Sequence, residues 1–460
     1  MIATLDGDTD GDTAPCPTTS DRASVVGALP AVARPFPFLR RIRIRDFRSI
    51  AHCDLTLGPL TLLLGPNAAG KSNILDALRF VADALEDSPS QAVDCRGGLD
   101  TLLRQTPDGS ADSFEILLTV TLPPTQIAAE PLSATYGFTI GRDRSGRAPL
   151  LVRAEIAEVQ HPEGAAQIPL PVAGAQTERL RLPASIVRED EPQAVLDARL
   201  RAMCFYDLDA TVLRAVDDQD TRRMRLGAAG EHLGRVLGAL SRADPRGKQR
   251  LDGYLAVLVP NALGVDERQD GRYSTVQARF RVGPGGRRRG VAAHEGVAAH
   301  EGVAAVGGDS VRGVGGSLDQ ADDAHRGALF LREQLSEGTL RAAGVLAALF
   351  QPEAVSGRIP LIGIEEPAAG LHPAAVGALY EALDDAAQRT QVIVTSQSSD
   401  LLDSKYAQLA HIRAVANLDG VTQVDEVDPA GRLAVDDGLM TISELHRSGQ
   451  MNPARPTSLA

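Results

Sequence analysis

The chain has 460 residues, 43% hydrophobic and 23% charged, with no tryptophan and a formal net charge of −13. That is room for two to three domains, or one large domain with insertions, and the acidic balance excludes a surface that grips nucleic acid throughout, while leaving room for a local basic groove. The absence of any apolar run near the roughly 18 residues of a membrane helix, four scattered cysteines without a CxxC pair and an acidic start (Asp6, Asp8, Asp10, Asp12) argue against a membrane span, a disulfide framework, a zinc site and a secretory leader, so a cytoplasmic protein is expected.

Residues 1–38, rich in Asp, Thr, Pro and Ala, read as a disordered tail. Residues 39–190 form the first part of the core. In "FLRRIRIRDFRSI", Ile42 and Ile44 alternate with Arg41, Arg43 and Arg45, the period of a half-buried strand whose arginines face solvent. "PLTLLLGPNAAGKSNILDALRFVADAL" reads as strand, glycine-containing loop and helix, with Ile74, Leu75, Leu78, Val81 and Leu85 on one helical face. "FEILLTVTL" and "ATYGFTI" follow as strands. Residues 191–265 turn helical, with Leu233, Val236, Leu237 and Leu240 at amphipathic spacing and no sustained heptad, which predicts a helical lid or short arm without a long coiled coil. Residues 266–327 return to strand in "YSTVQARFRV" and then run into a glycine-rich loop. The hexapeptide GVAAHE stands there twice in full, and its His294 and His300 read as products of repeat slippage rather than metal ligands. Residues 328–448 alternate strand and helix signals, and 449–460 read as a tail.

Two motifs carry chemistry. Gly65, Pro66, Asn67, Ala68, Ala69, Gly70, Lys71 and Ser72 fit G-x-x-x-x-G-K-[ST] between a strand and a helix. Backbone amides of such a loop cradle phosphates, the lysine reaches the β- and γ-phosphates, and the serine hydroxyl faces Mg²⁺. The second motif is "PLIGIEEPAAGLHP", where a buried-type strand ends in Glu365 and Glu366. Two like charges at a strand mouth repel and lose solvation. Beside a triphosphate with Mg²⁺ they gain tasks: Glu365 holds the ion and Glu366 orients or deprotonates the attacking water.

With "LSEGTLR" (Leu335–Arg341) and "QVIVTSQSSDLLD" added, the order of motifs resembles the ABC/SMC-type ATPases, in the RecF-like and OLD-like branch of bacterial AAA-labelled ATPases, over residues 39–120 and 328–448. The resemblance implies an α/β fold, an ABC-type P-loop NTPase with an antiparallel β-subdomain and an inserted helical lid. It implies ATP and Mg²⁺ as ligands, and a homodimer that sandwiches two ATPs head to tail. Ser336, Glu337 and Gly338 of the signature would then act in trans on the partner's nucleotide. Arg48, after the first strand, is a candidate nucleotide contact. At the switch strand, relatives present histidine where this chain has Gln397, which donates an amide hydrogen bond but cannot become cationic, so slow hydrolysis is expected. Relatives also carry Asp-Glu where Glu365-Glu366 stands, and Asp where His372 stands. The implied client is double-stranded DNA or a DNA-acting nuclease or effector protein, in DNA repair or anti-phage defence. The alternative is an ATP-gated scaffold with negligible turnover that recruits an effector.

Overall fold

The structure is a computed structural model and describes residues 37–107, 109–124, 130–143, 150–160, 178–186, 188, 191–218, 225–281 and 327–454. The predicted N-terminal tail up to residue 36, and His294 and His300 of the repeat loop, lie outside those residues.

The principal strands, numbered along the chain, begin with β1 (Leu39–Phe47), β2 (Ile50–Thr56), β3 (Leu60–Leu64), β4 (Ser113–Leu122), β5 (Leu132–Gly141) and β6 (Leu151–Gln160). Five of these form an antiparallel sheet in the order β2-β1-β4-β5-β6. The alternation read from sequence is present: Ile42 and Ile44 are buried, whereas Arg41, Arg43 and Arg45 are exposed. On β4 every second residue, from Phe114 to Leu122, faces inward. The apolar face of this sheet closes on helix α1 (Lys71–Glu86). Phe80 of that helix meets Phe47, Phe114 and Phe138 with ring centroids 6.3, 5.3 and 5.9 Å away, the edge and tilted contacts that aromatic quadrupoles favour.

The remaining strands are β7 (Cys204–Tyr206), β8 (Ala262–Asp270), β9 (Tyr273–Phe280), β10 (Ala328–Leu331), β11 (Leu361–Glu365), β12 (Gln391–Ser396), β13 (Ile412–Leu418) and β14 (Val421–Asp425). The core sheet runs β14-β13-β3-β12-β11-β7 and is parallel except for the β13/β14 hairpin. Its central strands LTLLL and QVIVTS are buried at every position. A parallel sheet covered on both faces demands such continuous runs. One face, with Leu63, Leu361 and Ile393, packs on the α1 side. The other, with Leu62, Ile362, Ile364 and Val394, packs under α5 (Glu337–Phe350) and α6 (Pro373–Ala387). Helix α5 is apolar all round and buried nearly throughout. The α/β fold with an antiparallel β-subdomain is therefore the architecture of this chain.

Residues 191–265 hold α2 (Pro192–Arg201), α3 (Leu233–Ala243) and α4 (Pro245–Leu258). Leu233, Val236, Leu237 and Leu240 of α3 are buried with the α5 and α6 residues in one cluster. This segment also supplies β7, the edge strand of the core sheet. Three residues are too few for a periodicity to show, so no pattern along the chain announces that strand. Strands β8, β9 and β10 pair in a separate antiparallel sheet. Cys53 and Cys204 are free thiols, whereas Cys95 is disulfide-bonded, a correction to the disulfide-free reading of the cysteine spacing.

Candidate functional site

Strands β3, β12 and β11 are parallel neighbours, so their carboxyl ends emerge on one edge of the sheet, where open α/β sheets place ligand crevices. Leu64 is level with Ser396, and Glu365 with Thr395. Gly65, Gln397 and Glu366 thus leave the sheet side by side, although they are far apart in sequence.

The loop after β3 is shaped by its neighbours. A Cβ at Gly65 would stand 2.0 Å from the Val415 carbonyl oxygen of β13. Gly70 has φ +96°, and a Cβ there would stand 1.9 Å from Thr422 Oγ1 of β14. Pro66, Asn67 and Ala68 are exposed, Ala69 is buried, and Ala68 takes φ 60° with its carbonyl accepting from Asn417 Nδ2 at 3.3 Å. Gly70 is the N-cap of α1 and brings no side-chain cap, so the first-turn amides have no side-chain acceptor from it. Lys71 is 6% exposed; its ammonium donates to the carbonyls of Gly65 and Pro66, each at 2.9 Å, and lies 3.8 Å from Glu366 Oε1.

Glu365 has Arg79 Nη2 3.9 Å away, and the nearby Ser72 hydroxyl favours its ionised form. Burial pushes its pKa up, against the pull of Ser72 and Arg79, with Asp207 and Asp76 pushing the same way as burial. Glu366 has φ 41°, a left-handed conformation that costs a non-glycine residue roughly 1–3 kcal/mol. The bend returns its carboxylate toward the end of β12, where Gln397 N donates to Oε2 at 3.2 Å and its own N–H bonds Thr395 O at 3.0 Å. Burial raises the Glu366 pKa, although the Gln397 amide and Lys71 oppose it, and burial lowers that of Lys71, although Glu366 and Glu365 oppose it. Desolvation outweighs the mutual attraction on both partners of the pair.

These contacts bring together Lys71, Ser72, Glu365, Glu366 and Gln397. The chemistry of the set fits anionic phosphate and a hard divalent cation: loop amides at a helix N-terminus, one ammonium, a hydroxyl paired with a carboxylate, and a second carboxylate. Among the described residues no group of three His, Cys, Asp or Glu side chains is placed to hold a metal ion. Mg²⁺ bound through one or two protein oxygens and substrate phosphates needs no such cage.

Ser336, Glu337, Gly338 and Arg48 make no described hydrogen bond or ion pair to these five. Ser336 is the N-cap of α5, accepting from Thr339 N at 3.2 Å, and is exposed with Glu337. Gly338 lies against the loop after β11, where a Cβ would stand 2.3 Å from Gly370 O. No described hydrogen bond or ion pair joins Ser336, Glu337 or Gly338 to the Gly65–Ser72 loop. Arg48 is committed to Asp76 on α1 at 2.8 Å. Two neighbours went unnoticed in the sequence. Arg79 follows Ser72 by seven residues, the same face of α1, so helical spacing alone could have found it. His446 is half-buried against the turn after β12, and no local pattern announces that.

The family described as "AAA domain, putative AbiEii toxin, Type IV TA system" matches residues 60–163 and 201–403, more than half of the chain. The OLD nuclease of Thermus scotoductus is 49% identical over 43 residues, 9% of this chain and 8% of that protein. The DNA replication and repair protein RecF of Gloeobacter violaceus is 50% identical over 46 residues, 10% of this chain and 12% of that protein. The chain thus covers about a tenth of the length of these curated relatives. Among solved structures, an SMC head bound to the C-winged helix domain of ScpA aligns over 84% of this chain and 97% of its own, at 13% identity and a TM-score of 0.49.

Proposed function

The chain belongs to that AAA-domain family, and from this premise we propose that it binds and hydrolyses ATP with Mg²⁺, coupling nucleotide state to head-to-tail homodimerisation. The observation that carries the reading is the convergence of three strand ends, which sets Lys71 3.8 Å from Glu366 and brings Glu365 up to Ser72 at the start of α1. The loop Gly65–Gly70 and the uncapped start of α1 take the phosphates through backbone amides. Lys71, now on two loop carbonyls, exchanges them for phosphate oxygens. Ser72 and Glu365 would hold Mg²⁺, which when bound would neutralise charge on the transferring phosphoryl group.

Glu366 orients the attacking water and takes its proton. Its raised pKa makes it a stronger base than an exposed glutamate, and the Gln397 amide fixes the carboxylate. Ser336, Glu337 and Gly338 sit exposed or half-exposed at the start of a buried helix, a surface suited to a phosphate presented by a second copy. The names of the relatives, a nuclease and a DNA repair protein, support double-stranded DNA or a DNA-acting protein as the client.

Phosphate release from Mg²⁺-ATP, with and without double-stranded DNA, tests the reading. Wild type releases phosphate; Glu366→Gln binds ATP without turnover; Lys71→Ala loses binding. ATP-dependent dimerisation without phosphate release in the wild type would instead favour the ATP-gated scaffold, which the non-ionising Gln397 supports.

A further inference from the structure

The switch strand β12 runs into Gln397, Ser398 and a 3-10 turn, Ser399–Leu402. Helix α7 (Ile442–Arg447), near the end of the chain, is tied to that turn by three side chains. Ser443 Oγ donates to Ser399 O at 3.1 Å, and Arg447 pairs with Asp400 at 3.3 Å and Asp403 at 3.5 Å. His446 is the third: its Nδ1 lies 2.8 Å from Ser399 Oγ. Leu445 is buried beneath and anchors the helix. The tether engages Nδ1, and no described hydrogen bond engages Nε2.

We propose that His446 contacts the terminal phosphate of the bound nucleotide through Nε2, bringing from α7 the imidazole that the switch strand, ending in Gln397, does not carry. The inference rests on the ATP reading above. Three observations support it. Ser399 stands two residues after Gln397, so the imidazole is anchored to the segment that leaves the sheet beside the loop. The Lys71 ammonium acts on the ring: burial first, then Lys71 and Arg447, hold its pKa below the ordinary histidine value. The ring is therefore neutral at pH 7 in the field of those two cations, and an anionic phosphate on Lys71 relieves that field and favours Nε2–H as a donor. Arg447 is held by Asp400 and Asp403 and does not compete for the phosphate.

The test is calorimetric binding of Mg²⁺-ATP and Mg²⁺-ADP to the full chain for wild type, His446→Ala, His446→Gln and Lys71→Ala. The expected result is that His446→Ala weakens ATP about tenfold or more, the scale of one lost charge-assisted hydrogen bond, and ADP less than about twofold. His446→Gln, whose amide reaches where Nε2 stood, recovers most of the difference. Equal weakening of ATP and ADP, or no change in either, overturns the proposal and leaves His446 a docking residue. Wild type that ignores ATP, or Lys71→Ala that binds as wild type does, overturns the ATP reading itself and this inference with it. Hydrogen exchange on the wild type covers a variant that fails to fold. ATP should slow exchange in 442–447 beyond what ADP does, and identical protection by both nucleotides refutes the contact.

Discussion

Replacing Gly70 by alanine separates what the loop needs for folding from what it needs for a ligand. Two penalties are legible. At φ +96° a Cβ meets its own backbone, costing roughly 1–2 kcal/mol. The same Cβ would lie 1.9 Å from Thr422 Oγ1 and 2.8 Å from Thr422 Cγ2. Thr422 is fully buried on β14 and holds Ser49 Oγ at 2.6 Å, so it cannot swing aside, and overpacking of this kind costs roughly 1–3 kcal/mol. Gly70→Ala should therefore lose about 2–5 kcal/mol of stability without any nucleotide present. Urea unfolding followed by circular dichroism measures it, read at the midpoint with the slope unchanged. Thr422→Ala removes the two nearest atoms, so the double variant should recover the steric share and keep the conformational one. A loss under about 1 kcal/mol for Gly70→Ala, or a double variant that is simply the sum of the singles, would refute the argument.

Glu366→Gln should trade activity for stability. The folded pKa of Glu366 is raised, so its ionised form costs stability at high pH, and the cost fades as pH falls through the folded value and is gone below the unfolded one. The variant should melt above wild type at pH 8 and level with it near pH 4, while phosphate release disappears. Gly338→Ala, with a Cβ 2.3 Å from Gly370 O, should displace the loop after β11 and abolish ATP-dependent dimerisation in light scattering, with ATP affinity unchanged. Arg96, 8% exposed, bonds Asp76 and Asp83 at 2.8 Å each and the Ala92 carbonyl at 2.9 Å. Arg96→Ala leaves Asp83 without its ion-pair partner and Asp76 with Arg48 alone, and should cost about 3 kcal/mol in urea unfolding, with Arg96→Lys recovering part.

The sequence by itself determined the local chemistry. The motif Gly65–Ser72 between an apolar run and an amphipathic helix reads as a phosphate cradle, and residues 60–86 fold as read from their spacing. The apolar runs LTLLL and LIGIE announced buried strands, and the structure makes them, with QVIVTS, parallel neighbours in a sheet covered on both faces. What the tertiary structure alone decided is adjacency. The order β3-β12-β11 puts Glu366 and Gln397 beside Lys71, and no periodicity encodes which strands pair. The left-handed bend at Glu366, the glycine cradle made by Val415 and Thr422, the strand Cys204–Tyr206 and the seat of His446 on Ser399 have the same origin. Each depends on atoms distant in sequence, and spacing along the chain reports only neighbours within a helix turn or a strand.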